Sequence, residues 1–422
     1  MSNENQSKGN VAAIGIMFML FFMIAFVTNF AGSMGIIVKN QFGASNMASQ
    51  LGSAANFFAY FFMGIPGGLI LKRKGYKFTA LLAVGVGIAG LAVQLASGFA
   101  SSFAVYVTGA FVAGFSMCLL NLVVNPLLNT LGGGGNKGNQ LVQFGCSLNS
   151  IGATLAPVLL GYLIGGEVAK AKVMDAAPAM YIAIGIFVLA FVVLALSKIP
   201  EPHMETAEEK AARTPVMKDI VETLKFRHFT LGAVAIFTYI VIESGIPNMA
   251  NLYMTTEKIG EAANPGYVGA VVAGSVVAVY WFCMMLGRLA GGALGAKVSS
   301  RAMITVCSVL GIALMLATMF LPVKMVTICG KSFPLAMVFM ALCGLCTSVM
   351  WGGIFNMAAE GLGKYVPMGS GIFMAMVVGG LMLPVQGLIA DKIGILNSYW
   401  FTIALFAYVL FYALVGSRVA KK

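Results

Sequence analysis

Charged residues are scarce in this sequence. They make up 9% of the 422 residues, against about 25% in a typical soluble globular protein. Hydrophobic residues make up 59%, and the mean hydropathy is +0.92. A chain with so few charges cannot cover its own surface with polar groups, so most of that surface must face lipid. The composition therefore excludes a soluble protein and predicts an integral membrane protein.

The residue types that carry much of enzyme chemistry are also scarce. Only two His are present, and both lie in the polar stretch 198–228. The seven Cys lie almost entirely in hydrophobic runs without metal-ligand spacing, so we interpret them as small packing residues. The Gly-rich GGGGNK (132–137) lacks the Lys-Ser/Thr ending of a phosphate-binding loop. We expect no enzyme, no metal and no cofactor.

Hydrophobic runs of about 20 residues, the length that crosses a bilayer, recur along the whole chain. They do not alternate between polar and apolar residues, which favours helices over a barrel. The first run is too long for a signal peptide and lacks a cleavage site, so we expect it to remain in the protein. The predicted spans are 11–38, 47–71, 78–98, 103–131, 141–165, 178–197, 229–254, 268–296, 302–323, 333–359, 367–390 and 396–417.

The formal net charge of +12 would suit a nucleic-acid-binding protein, but its distribution indicates a membrane protein instead. With the N-terminus inside, 18 of the 26 Lys and Arg fall in inner segments and seven in outer loops, while Arg288 lies within a span. The positive-inside rule then predicts that both termini are cytoplasmic. We expect membrane lipid as a partner and no nucleic acid.

The chain divides into two similar halves at its most polar stretch. We predict an all-α membrane protein with twelve transmembrane helices in two pseudo-symmetric six-helix bundles. The first bundle covers 1–197, a cytoplasmic linker covers 198–228, and the second bundle covers 229–422. Within the linker, MKDIVETLK suits either an amphipathic helix on the inner membrane face or a solvated segment.

Glycine and proline recur at matching places in the two halves. Gly152 lies five residues before Pro157 in span 5, and Gly379 lies five before Pro384 in span 11. We expect both helices to be interrupted there. Repeated halves with interrupted helices are typical of alternating-access carriers, whose substrate site lies near the middle of the membrane.

Two charged residues lie within predicted spans. Glu243 is the acid deepest in a span, and intramembrane acids mark ion or proton pathways. It is our candidate for proton coupling, with a structural role bonded to a neighbouring helix as the alternative. Arg288 lies about one turn from the cytoplasmic end of span 8. We expect it to snorkel or to clamp a loop carboxylate rather than to bind substrate.

Uncharged polar side chains within the spans suit a sugar. Amides donate and accept hydrogen bonds, and tryptophan offers a flat apolar face. Any one of these amides could instead hold helices together. The candidate substrate-binding residues are Asn29, Asn121, Asn125, Asn149, Asn248, Trp351, Asn356 and Gln386.

Several longer motifs extend over nearly the whole chain, namely IPGGLILKRKGYK (65–77), NPLLNTLG (125–132), NSIGATLAP (149–157), YIVIES (239–244), IFNMAAEGLG (354–363), GSGI (369–372) and PVQGLIAD (384–391). Together they resemble the major facilitator superfamily and, within it, the bacterial fucose–galactose–glucose:proton symporter family. The resemblance implies the major facilitator fold, a bacterial inner membrane and import of a monosaccharide with protons. We expect a monomeric carrier whose span 7 acid, present in glucose- and galactose-type members, is matched by Glu243.

The chain also departs from that family. Ala31 and Gly32 stand where an Asn-Asp pair is usual, and Asn121 stands where fucose-type members have an acid. Lys72 stands where the superfamily has an Asp after span 2. These departures keep a uniporter, a differently coupled carrier, or a carrier of another solute such as an amino-sugar derivative or an exported metabolite as alternatives. A membrane sensor is a remote alternative, because the longest polar stretch is only 198–228.

Overall fold

A computed structural model of the protein describes residues 3–42, 51–163, 172–205, 215–256, 268, 270–321 and 324–419. Helices dominate these residues. The α-helices are α1 (Asn3–Phe42), α2 (Leu51–Ala100), α3 (Phe103–Leu131), α4 (Gly135–Leu163), α5 (Ala177–Leu196), α6 (Val216–Leu224), α7 (Arg227–Thr256), α8 (Ala270–Leu294), α9 (Ser300–Phe320), α10 (Ala336–Thr347), α11 (Met350–Ala359), α12 (Val366–Ala375), α13 (Leu383–Ile393) and α14 (Tyr399–Phe411).

The remaining elements are short. Three 3-10 helices cover Val173–Ala176, Gly363–Tyr365 and Met376–Met382, and a π-helix covers Tyr412–Gly416. Strands β1 (Met325–Ile328) and β2 (Lys331–Pro334) form an antiparallel hairpin between spans 9 and 10. This hairpin adds a small element of sheet that the all-α prediction did not include.

The helices match the twelve predicted spans. Among the described residues, nine helical stretches are long and apolar enough to cross a membrane. One of them, Ala54–Ala100, has 47 residues, about 70 Å of helix, which is too long for one crossing. It contains two spans, because the backbone leaves the helical region at Gly75 with φ 83° and ψ 179°. Helix α4 and the shorter apolar stretch Val11–Val27 supply the other two spans.

The predicted interruptions of spans 5 and 11 have different outcomes. In span 11 the α-helix is replaced by a 3-10 segment at Met376–Met382, as we expected. In span 5 the prediction is wrong, because α4 runs as one helix through residue 157. A proline removes a single backbone hydrogen bond, and a membrane helix tolerates that loss where neighbouring helices pack against it.

The two matching glycines make the same contact in their two halves. A Cβ atom at Gly152 would collide with the backbone carbonyl of Phe22 in span 1. A Cβ atom at Gly379 would collide with the backbone carbonyl of Phe237 in span 7. Small residues permit such close approach of membrane helices. Spans 5 and 1 therefore pack in the same way as spans 11 and 7.

Two further glycine contacts recur at equivalent helices. The backbones of spans 4 and 2 meet at Gly114 and Asn56, and those of spans 10 and 8 meet at Gly344 and Tyr280. Likewise, an aromatic ring covers a glycine in both halves, Phe187 over Gly87 and Phe406 over Gly311. Three independent contacts thus repeat between the halves that we inferred from sequence.

Contacts divide the chain into two compact units. The first comprises Met1–Gly134, Phe144–Phe226 and Ala359–Val378. Its largest fully buried side chains include Phe21, Tyr76, Tyr106 and Phe187.

The second unit comprises Gly135–Gln143, Arg227–Ala358 and Gly379–Lys422. Tyr239, Tyr280 and Tyr399 are fully buried in it. The predicted division into 1–197, 198–228 and 229–422, in which each part is one continuous stretch of sequence, stays a prediction.

Candidate coupling and binding site

Glu243 in span 7 and Arg288 in span 8 form an ion pair within the second unit. Arg288 Nη2 donates a hydrogen bond to Glu243 Oε1 at 3.1 Å, and the two side chains are only 10% and 16% exposed. Our expectation that Arg288 snorkels or clamps a loop carboxylate is therefore wrong. A buried charge is stabilised most by an opposite charge nearby, and the acid of span 7 lies within reach of the long arginine side chain.

Two tyrosines complete the surroundings of the acid. Tyr239 lies one helical turn before Glu243 on α7, and its hydroxyl donates a hydrogen bond of 2.6 Å to the same Oε1 atom. The Tyr280 hydroxyl of α8 donates to the backbone carbonyl of Glu243 at 3.1 Å and shares a hydrogen bond with Thr347. The carboxylate is thus held by side chains from two helices, and both of their hydrogen bonds are to one oxygen, Oε1.

Trp351, a predicted sugar-binding residue, lies next to this group. Its ring centroid is 6.3 Å from that of Tyr239, with the two ring planes tilted by 57°. Trp351 is half-buried, whereas Tyr239 is fully buried. Tyr239 therefore contacts both the predicted coupling residue and a predicted binding residue.

Gln386, another predicted binding residue, is fully buried in α13. Its amide nitrogen donates to the Thr402 hydroxyl of α14 at 3.1 Å. Its carbonyl oxygen lies against Gly245 of α7, where any side chain would collide with it. The structure therefore places Gln386 against the helix that carries Glu243.

Two other predicted residues of the second unit lie apart from this group. Asn356 donates a hydrogen bond of 2.9 Å to the Ser300 hydroxyl at the start of α9. Asn248 is exposed on α7. The structure does not bring either of them into the Glu243 network.

The first unit holds a second polar group, on span 4. Asn121 donates a hydrogen bond of 2.9 Å to the Tyr60 hydroxyl of span 2, and Asn125 donates to the backbone carbonyl of Asn121 at 2.9 Å and to its side-chain Oδ1 at 3.2 Å. Asn149 lies elsewhere, donating to the backbone carbonyl of Phe21 at 3.1 Å. The side chain of Asn29 lies outside the described residues.

Sequence reasoning missed Tyr60, Tyr239, Tyr280 and Thr347, as well as the role of Arg288. Tyrosine is grouped with the hydrophobic residues in a composition count, so a search for polar residues within the spans does not find its hydroxyl. The position of Tyr239 four residues before Glu243 was a usable signal, because residues at that spacing lie on one face of a helix.

Comparison with known proteins agrees with this architecture. The family model of the Major Facilitator Superfamily matches residues 16–380. A glucose/galactose transporter of Brucella abortus biovar 1 (strain 9-941) is 28% identical over 424 residues, covering 99% of this chain and 97% of the relative. An L-fucose-proton symporter of Escherichia coli (strain K12) is 21% identical over 439 residues, covering 99% and 96%.

A solved structure gives the same fold. The crystal structure of a fucose:proton symporter of Escherichia coli matches with a TM-score of 0.82 and 20% sequence identity, covering 97% of this chain and 100% of that chain. The chain is a multi-pass membrane transporter and not an enzyme. It belongs to the Major Facilitator Superfamily.

Proposed function

We propose that this protein imports a monosaccharide, or a related small polar solute, together with a proton. The names of its relatives support a sugar substrate, and one of those relatives is a proton symporter. The observation that carries the proposal is the buried Glu243–Arg288 pair with its link through Tyr239 to Trp351. We place the protein in a bacterial inner membrane with both termini cytoplasmic, on the charge distribution.

Glu243 is the proposed proton carrier. The hydrogen bonds from Tyr239 and Arg288 both use Oε1, so Oε2 is the oxygen on which we place the proton. Protonation turns the carboxylate into a neutral acid and removes its attraction for the Arg288 guanidinium, which keeps its own charge. The net charge of the Glu243–Arg288 pair therefore differs between the protonated and the deprotonated form of Glu243, as proton coupling requires.

Trp351 and the amides are the proposed sugar contacts. A pyranose presents C–H groups on its face and hydroxyls at its edge, which suit an aromatic ring and amide groups respectively. A sugar over Trp351 would restrict the ring beside it, Tyr239, whose hydroxyl bonds Glu243. The proposed amide contacts remain Asn29, Asn121, Asn125, Asn149, Asn248, Asn356 and Gln386.

Residues 1–197 and 229–422 are the proposed moving halves, with 198–228 as their linker. The glycine contacts that recur in equivalent helices support this division. Alternating access then follows from each half moving largely as one body.

The decisive experiment compares uptake and exchange in proteoliposomes. Glucose, galactose and fucose are tested with and without an inward proton gradient, for the parent and for Glu243→Gln. The variant keeps the shape of the side chain but stays neutral, so it should exchange sugar yet fail to accumulate it. Glu360→Gln, which changes an exposed acid, is the matched control and should accumulate sugar as the parent does.

Facilitated diffusion is the second candidate, and Asn121 favours it. An amide that bonds Tyr60 stands where fucose-type members carry an acid, so one proton site of that family is missing. If the parent equilibrates sugar but never concentrates it under a proton gradient, this protein is a uniporter. If Glu243→Gln accumulates sugar like the parent, coupling does not run through Glu243.

A further inference from the structure

Helix α6 (Val216–Leu224), in the predicted linker, has its polar face buried and its apolar face exposed. Asp219 is 5% exposed and Thr223 is fully buried. By contrast, Met217 is 68%, Val221 46% and Leu224 40% exposed. A helix in contact with water would have the opposite arrangement.

An ion pair fixes this orientation within the first unit. Lys72, at the end of span 2, contacts Asp219 Oδ2 at 2.5 Å and Glu205 at 3.7 Å. The Lys72 and Asp219 side chains are 10% and 7% exposed, and the Thr223 hydroxyl bonds the backbone of Asp219. The lysine that departs from the superfamily pattern thus meets carboxylates supplied by the linker.

Basic residues border the exposed apolar face. At 100° per residue, Met217, Val221 and Leu224 lie within an arc of about 60°. Lys225 and Lys218 follow directly on one side of that arc, and both are exposed, with the Lys225 ammonium group also 2.6 Å from Glu222 Oε1. An apolar stripe edged with lysines is the pattern of a helix that lies in a membrane interface, with the lysines reaching the headgroups.

The chain keeps α6 close to the bilayer. Only Lys225 and Phe226 separate its last residue, Leu224, from Arg227, the first residue of α7. Three residue steps span at most about 11 Å, so the chain itself keeps the end of α6 near the start of α7.

We propose that α6 docks on the membrane surface, with Met217, Val221 and Leu224 at the acyl-chain boundary and Lys218 and Lys225 on anionic phospholipid headgroups. This goes beyond sugar transport and does not rest on it. The predicted orientation decides only the leaflet, which is the cytoplasmic one. The exposed Arg73 and Lys74 at the end of span 2 add to the basic charge near Lys72.

Spin labels measure the depth of α6. Cys307 and Cys329, the two least buried cysteines, are replaced by Ser. A label is then placed at Val221→Cys, with Leu224→Cys as a second site and the exposed position Lys137→Cys, in the first turn of α4, as control. In bilayers containing phosphatidylglycerol, labels at 221 and 224 should be relaxed more by oxygen than by a water-soluble nickel chelate. The label at 137 should show the reverse, and a label at 221 that matches it would overturn the proposal.

Charge variants test the headgroup contact. Lys218→Gln/Lys225→Gln should lower the oxygen-to-nickel ratio of the label at 221 in phosphatidylglycerol bilayers, since each surface lysine is worth about fivefold in membrane affinity. In pure phosphatidylcholine, the double variant and the parent should differ little. Lys297→Gln, in the exposed turn between α8 and α9, is the control and should leave the ratio unchanged. Dipolar broadening between labels on two chains would mean that a second copy covers α6, which also overturns the proposal.

Discussion

Arg288 and Glu243 are 45 residues apart in sequence, yet the guanidinium of one donates a hydrogen bond of 3.1 Å to the carboxylate of the other. Each side chain is at least 84% buried in the protein. Removing one partner of such a pair leaves an uncompensated buried charge, whereas removing both does not. The ion pair therefore leads to a prediction about protein stability that can be tested without measuring transport.

Arg288→Gln should destabilise the protein by about 3–5 kcal/mol, the cost of breaking a buried ion pair on one side. Glu243→Gln/Arg288→Gln should lie closer to the parent, because no charge is then left unpaired. Thermal unfolding in detergent, followed by a fluorescent reporter, gives the order of the melting temperatures.

A double-mutant cycle with the Glu243→Gln single variant isolates the interaction between the two side chains. If the double variant is destabilised by the sum of the two single effects, the ion pair contributes nothing and the hydrogen bond of the structure is not important in solution.

Trp351 should contribute to sugar affinity through its ring. Trp351→Ala should raise the KM for the transported sugar about fivefold, since a lost aromatic contact costs about 1 kcal/mol. Trp400→Ala is the matched control, because Trp400 is 48% exposed at the start of α14 and its ring packs against Phe320. Equal changes in KM for the two variants, measured by uptake in proteoliposomes, would remove Trp351 from the binding site.

The fold could be predicted because the hydrophobicity of a segment can be read from its own sequence. Twelve spans can therefore be recognised without knowing which helices pack against them. The partner of Arg288 could not be predicted. The sequence gives the approximate depth of Arg288 in the membrane but not the direction in which its side chain points from the helix. The same limit applies to Lys72 and Asp219, which are 147 residues apart. Amides such as Asn356 and Gln386 were recognised as polar, but their hydroxyl partners Ser300 and Thr402 carry no signal of contact in the sequence.

The recurring glycine contacts predict equal effects in the two halves. Gly152→Ala and Gly379→Ala each put a methyl group against a backbone carbonyl, so the helices must separate, at a cost of about 1–3 kcal/mol. Gly185→Ala meets no atom within 4 Å and should stabilise by about 0.5–1 kcal/mol through helix propensity. Melting temperatures of the three variants test this, and a Gly152→Ala protein as stable as Gly185→Ala would contradict the close packing.

His203, in the segment after span 6, should make stability depend on pH. The Tyr76 hydroxyl and His203 Nδ1 lie 2.6 Å apart, and partial burial lowers the pKa of His203. Because the unfolded chain has the higher pKa, about 6.5, it binds the proton first as the pH falls. The stability that His203 contributes is therefore fully present above about pH 6.5. It is lost as the pH falls from there towards the pKa of His203 in the folded protein.

Glu201 has the opposite effect. Burial raises its pKa despite the backbone hydrogen bonds from Tyr76 and Lys77. The stability that Glu201 contributes is therefore complete at low pH and is lost as the pH rises through its pKa in the folded protein.

Variants separate the effects of His203 and Glu201 on stability. His203→Gln, which keeps a side-chain acceptor for Tyr76 without titrating, should lose less stability than the parent between pH 7.5 and pH 5.5. Glu201→Gln should still lose the stability that protonation of His203 removes between pH 7.5 and pH 5.5. Melting temperatures at the two pH values test both, and a parent and His203→Gln that lose the same stability would show that His203 does not titrate in this range.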